Sequence, residues 1–104
     1  MVRRRGRNAD DDIIDDATRV LSEGQPLIGL PIEPYPRWGT GLMLASELRP
    51  MLGETSFGHD GAAGGLCFAD RENGVGFAYL PNQMGAILDP RANSIVDALR
   101  DCLR

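Results

Sequence analysis

Lysine is absent from this chain of 104 residues, and all 11 basic residues are arginine. That absence removes one kind of chemistry. A desolvated lysine can sit neutral beside a serine and accept its proton, whereas a guanidinium stays charged and cannot. His59 is the single histidine, and Cys67 and Cys102 are the only thiols. One histidine with two distant cysteines makes neither a zinc-ligand spacing nor a disulfide framework. Both cysteines lie in apolar patterns and are expected as small core residues. No run is long and apolar enough to cross a bilayer, and no hydrophobic segment follows the N-terminal arginines to complete a secretion signal. A cytoplasmic protein with no membrane partner is the expectation. The formal net charge is -4, and the one basic cluster, Arg3-Arg4-Arg5 with Arg7, meets Asp10-Asp11-Asp12 directly. A nucleic-acid arm needs basic charge undiluted by such neighbours, so no nucleic-acid partner is expected.

What remains is enough for one small domain whose stability alone would be marginal. Residues 1–9 read as a disordered arm, and the domain as residues 10–104. Ile13, Ile14, Ala17, Val20 and Leu21 recur at helical spacing, with acidic residues at the start, Arg19 toward the end and Gly24 as a stop. Pro26, Pro31, Pro34 and Pro36 make the next segment an extended connection. Arg37 to Ala45 reads as one strand with Trp38, Thr40, Leu42 and Leu44 on a face, and Glu47 to Gly53 as a loop or single turn. Asn73-Gly74 between two apolar runs predicts a hairpin joining residues 64–70 to 75–80. Asp89-Pro90 opens a last helix whose buried stripe is Ile95, Val96, Leu99, Cys102 and Leu103. The fold class is α+β, an antiparallel sheet of three to four strands flanked by an N-terminal and a C-terminal helix. Such a sheet has two open edges, and one face lacks a cover.

The candidate chemistry gathers at Phe57-Gly58-His59-Asp60-Gly61-Ala62-Ala63-Gly64-Gly65, where a strand meets a glycine cluster. Glycines allow a ligand close to main-chain N–H groups, and a lone polar side chain there is a site candidate. The plain alternative is a turn. Ser46-Glu47-Leu48-Arg49 imitates a serine–lysine spacing but ends in arginine. Ser56 and His59 lie three apart on a strand, so their side chains point to opposite faces. Tyr79 and Trp38 read as packing residues, Asp70 as a turn cap, and the aspartates of the first helix as dipole partners rather than metal ligands. No nucleophile, metal site or cofactor site is expected in this chain.

In order, Trp38-Gly39-Thr40-Gly41, the run from Phe57 to Gly65, Phe68-Ala69-Asp70 and Gly76-Phe77-Ala78-Tyr79 resemble the C-terminal part of the beta-lactamase-related serine hydrolases. These are the class C beta-lactamase-like proteins and the carboxylesterases that share their fold. The likeness covers roughly residues 13 to 104. It implies a partial beta-lactamase/transpeptidase-like fold and a metal-free, cofactor-free hydrolysis of an ester or amide through an acyl-serine in the complete enzyme. The family combines Ser-x-x-Lys, Tyr-x-Asn and a third motif, Lys-Thr-Gly or His-x-Gly. His59-Asp60-Gly61 matches the third. By resemblance His59 lies near the substrate, Gly61 lets the strand approach it, and the Ala62 N–H is an oxyanion-hole donor. Ser-x-x-Lys and Tyr-x-Asn are missing, and Ala63-Gly64-Gly65 stands where many relatives have Gly-Gly-Ser. The expectation is therefore a hydrolase fragment that is inactive alone, with a small ester or amide as substrate only of the complete enzyme. A rival reading is a non-catalytic binding or oligomerisation module that self-associates or pairs through an exposed sheet edge. A third is a displaced reading start, since the arginine-rich opening matches nothing in the family.

Overall fold

A computed structural model describes residues 9–26, 29, 33–86 and 89–104. The arginine-rich arm up to residue 8, and part of the proline-rich connection, lie outside the described residues. In chain order the elements are α1 (Ala9–Ala17), β1 (Ser22–Glu23), β2 (Arg37–Trp38), β3 (Met43–Leu44), β4 (Ser56–Asp60), β5 (Leu66–Asp70), β6 (Val75–Tyr79) and α2 (Arg91–Cys102). The strands form one antiparallel sheet in sequence order, β1-β2-β3-β4-β5-β6. The α+β class with two flanking helices is thus observed, but among the described residues the sheet has six strands rather than three to four.

The extra strands come from the stretch read as one strand over Arg37 to Ala45. It folds back on itself, with Trp38 opposite Met43 and the Gly39 N–H bonded to the Leu42 carbonyl at 2.8 Å. Gly41 turns the corner at φ 71°. A flat strand from Trp38 to Leu44 would have lost the bond from the Thr40 N–H to the Ala17 carbonyl, 2.9 Å, which ties this turn to the end of α1. The first helix is shorter than its apolar spacing suggested. It ends at Ala17, Gly24 turns the chain after β1 instead, and Ile13 is 65% exposed.

The hairpin of β5 and β6 forms as its sequence indicates, closing at Asp70 opposite Val75 with Gly74 at φ 64°. The left-handed backbone there is open to glycine at no steric cost. Burial alone would raise the pKa of the Asp70 carboxyl. Hydrogen bonds from Ser56, from the backbone and side chain of Asn73 and from Thr55 outweigh it and hold the group below the ordinary carboxylate value.

Met43, Ala45, Met51, Leu66, Phe68, Ala92 and Val96 make the core, with Trp38, Leu52, Phe77 and Tyr79 packed against it. The helix α2 begins one residue later than expected: Arg91 is its first residue and Pro90, with helical dihedrals, its N-cap, while the Asp89 carboxylate, expected as the cap, accepts the Arg91 N–H at 2.9 Å from one position further out. Its buried face differs from the expected stripe. Ala92 and Val96 are inside, while Ile95, Cys102 and Leu103 are exposed. No helix among the described residues is long and apolar enough to cross a membrane.

Strands β4 and β5 approach too closely for a side chain at Gly58. A Cβ there would fall on the Cys67 carbonyl oxygen and lie 2.6 Å from the Phe68 Cα. Both are backbone atoms, so relief requires the strands to part. We expect Gly58→Ala to lower the denaturant midpoint by about 1–3 kcal/mol of stability. Gly61→Ala, whose Cβ would meet nothing within 4 Å, is the matched control and should leave the midpoint unchanged. Equal midpoints for the two variants would refute the close approach.

Candidate functional site

The end of β4 and the loop that follows place the sequence-predicted residues together. His59 pairs with Cys67 across the ladder, and Asp60 with Leu66. The loop from Gly61 to Gly65 is closed by the Gly61 N–H to the Gly65 carbonyl and the Gly64 N–H to the Gly61 carbonyl, both 3.0 Å. Gly61 and Ala62 are exposed, and among the described residues the Ala62 N–H has no backbone partner. A hollow of about 290 Å³ lies beside Gly61, bordered also by His59, Cys67, Leu80 and Pro81, while Ala62 is not part of its lining.

His59 stands at the rim of this hollow, its side chain 57% exposed. Its Nδ1 sits 2.6 Å from the Asp60 carbonyl oxygen, which makes Nδ1 the donor and leaves Nε2 as the open acceptor. The imidazole also leans on the Trp38 ring, 5.3 Å between centroids at 44°. The indole and the main chain therefore hold the ring, rather than a neighbouring acid. Asp60 neither faces solvent nor sits squarely against the imidazole. Its Oδ1 is 3.7 Å from Nδ1, whereas its Oδ2 accepts from Arg49 Nε at 3.0 Å.

Arg49 is the residue whose role the spacing argument did not find. It is 2% exposed, and it joins the end of β4 to the start of α2 by donating to the Asp89 carbonyl at 3.0 Å as well. The Ser46 hydroxyl accepts the Arg49 N–H at 3.4 Å, so Ser46-Glu47-Leu48-Arg49 is a serine-capped turn and not a nucleophile with its base. The signal available in the sequence was a lone arginine between Leu48 and Met51, both of which are buried.

Asp89 extends the network. Arg91 meets its carboxylate through Nε at 3.0 and 2.8 Å and through a terminal nitrogen at 2.6 Å. That guanidinium, then its own backbone N–H, hold the Asp89 carboxyl below its ordinary value, and the same pairing raises the Arg91 guanidinium. Arg91 also donates to the Gln83 carbonyl at 2.8 Å.

The other candidates are structural. Ser56 is buried, donates to Asp70 at 2.7 Å and accepts from the Leu52 and Gly53 N–H groups. It faces away from His59, as the strand alternation requires. Ser94 donates to the Pro90 carbonyl at 3.1 Å. Among the described residues no serine hydroxyl bonds to a histidine or a tyrosine. The aspartates of α1 serve ion pairs, Asp15 and Asp11 to Arg71 at 2.5 and 3.7 Å. Among the described residues no cluster of metal-ligating side chains occurs. The cysteines are not core residues: Cys67 and Cys102 are both free and exposed. Apolar neighbours in sequence put Cys67 on a strand, but its alternation with Leu66 and Phe68 turns it to the open face.

Compared with protein-family models and with curated proteins, the chain finds no match.

Proposed function

We propose that this chain is the C-terminal part of a beta-lactamase-like serine hydrolase, carrying one wall of its active site. The observation that supports this reading most is an exposed His59 at the rim of one hollow, with Ala62 on the adjoining turn carrying an N–H that has no backbone partner among the described residues. Gly61 adds to it, because no atom of the described residues lies within 4 Å of a Cβ there. A glycine with no internal need fits a backbone that something else must approach. In the complete enzyme a serine on another segment would attack an ester, or less readily a beta-lactam or peptide amide. Negative charge would then develop on the carbonyl oxygen, and a fixed N–H such as that of Ala62 would stabilise it. One such donor is worth roughly 3–4 kcal/mol of barrier. His59, with Nε2 open, would add a hydrogen-bonding group to the same wall. Two exposed thiols suit a reducing compartment, consistent with the cytoplasm.

Ser-x-x-Lys, which pairs the family's nucleophile with its base, does not occur in the sequence. We expect the purified protein to hydrolyse a chromogenic short-chain ester no faster than buffer does. Robust turnover abolished by His59→Ala would overturn the inactive-fragment reading. The DNA upstream, read in all frames, tests the parentage: Ser-x-x-Lys followed by Tyr-x-Asn supports it, and their absence transfers the weight to a second reading. That reading is a non-catalytic assembly module, favoured by the unpaired outer edge of β6 among the described residues and by the open sheet face beside it.

A further inference from the structure

The sheet ends in two unlike edges. On one side β1 is two residues long, and Glu23 there is occupied by Arg37 at 3.2 Å. On the other, β6 runs for five residues, Val75-Gly76-Phe77-Ala78-Tyr79, with no charge and no proline. Natural edges are usually blunted by charge, proline, a bulge or brevity. The first edge is blunted in this way and the second is not.

The pattern of β6 is also nearly the same read in either direction: large, small, large, small, large. We infer that β6 pairs antiparallel with β6 of a second copy of this chain, about a two-fold axis through Phe77. This rests on the assembly reading above and is independent of hydrolase ancestry. Pairing about Phe77 sets Val75 against the partner's Tyr79, Gly76 against the partner's Ala78, and Phe77 against itself. On one face this gives two β-branched–aromatic pairs and an aromatic pair, the kinds of cross-strand contact that stabilise a ladder. On the other face it places small residues together. Leu80, 80% exposed, falls opposite the partner's Gly74, which has no side chain to obstruct it.

Other registers do worse. In a strand, outward-directed N–H and C=O groups belong to every second residue, so a two-fold axis must pass through a residue and not between two. Moving it to Ala78 runs Val75 onto the partner's Pro81, beyond the end of the strand at Tyr79. Moving it to Gly76 runs Tyr79 onto Asn73 in the turn. Because the axis relates the same edge of both copies, the contact is isologous and closes at two. The blunted β1 edge keeps the assembly from growing into a fibre.

Sedimentation velocity over a wide concentration range tests this with two double variants. Positions 76 and 78 suit the purpose, since both are exposed and a Cβ at Gly76 would meet nothing within 4 Å. In Gly76→Lys/Ala78→Lys, like charges lie directly opposite in both symmetric pairs. The dimer should weaken by about tenfold or more. In Gly76→Lys/Ala78→Glu the same positions carry opposite charges across the interface, and the dimer should persist with added salt sensitivity. Circular dichroism and melting of both variants report whether the subunit still folds. A wild-type chain that stays monomeric at every concentration overturns the inference. So does equal dissociation of the two variants, because contact through any other surface would not distinguish them. Either result leaves the ester assay and the upstream reading untouched.

Discussion

Arg49→Met should cost the fold about 3–5 kcal/mol, read as a lower denaturant midpoint at unchanged slope. A chain of this length holds only about 5–15 kcal/mol in total, so the variant would sit near the edge of stability. The cause is what the arginine leaves behind rather than the side chain lost. Asp60, 18% exposed, would keep a carboxylate with no cation against it. The Asp89 carbonyl, which accepts the other arm of the guanidinium, would lose that partner as well. Methionine replaces the aliphatic volume, which isolates the charge effect from a cavity. The discriminating measurement is the double variant Arg49→Met/Asp60→Leu, which removes both charges and should regain much of the loss. If it is as unstable as the two single losses added together, the ion pair is not the source.

Asp70→Asn should cost roughly 2–4 kcal/mol and also change the response to acid. One buried carboxylate accepts from the hydroxyls of Thr55 and Ser56 and from two nitrogens of Asn73. An amide keeps the shape but turns two N–H donors toward groups that also donate. The pH prediction follows from the direction of the shift. The folded carboxyl titrates below its unfolded value of about 3.9, so its contribution is fully present above that pH. It is lost as pH falls through the folded value. Wild-type protein should therefore lose stability steeply below about pH 4, and Asp70→Asn should lose less over the same range. Superimposable acid profiles for the two proteins would place the acid sensitivity elsewhere.

Local chemistry made the second half of the chain legible. Asn73-Gly74 announces its hairpin, Asp89-Pro90 announces a helix start, and alternation correctly sends Ser56 and His59 to opposite faces. The first half was decided by contacts that no local pattern contains. Residues 37–45 carry a strand-like alternation, yet the Ala17 carbonyl captures Thr40 and the glycines let the chain reverse. The segment from Ser46 to Gly53 lacks any period, yet Leu48, Arg49 and Met51 are buried. There Met51 takes a left-handed backbone at φ 51° and its carbonyl accepts from Arg100. A loop that fills a core gives no repeating signal. Cys67 was misplaced for a simpler reason, since apolar company along a strand says nothing about which face a given residue takes. The site itself was legible as a set of positions, but the support beneath it, Arg49 to Asp60, joins residues whose proximity depends on the finished fold.

The meeting point at Asp89 bears on how the glycine-rich loop behaves. Its carboxylate accepts the first N–H of α2, binds Arg91, and leaves only 3.0 Å for a Cβ at Gly64, while the Gly85 N–H reaches back to the Ala63 carbonyl at 3.3 Å. The loop thus shares its fastening with the helix. With Gly64 packed against the Asp89–Arg91 pair, opening of the loop and opening of the first turn of α2 are expected to be coupled. The hydrogen-bonded Gly61 and Gly64 amides of that stretch would then exchange with solvent no faster than the helix end beside them, while the Ala62 amide, which has no backbone partner among the described residues, would exchange without any opening.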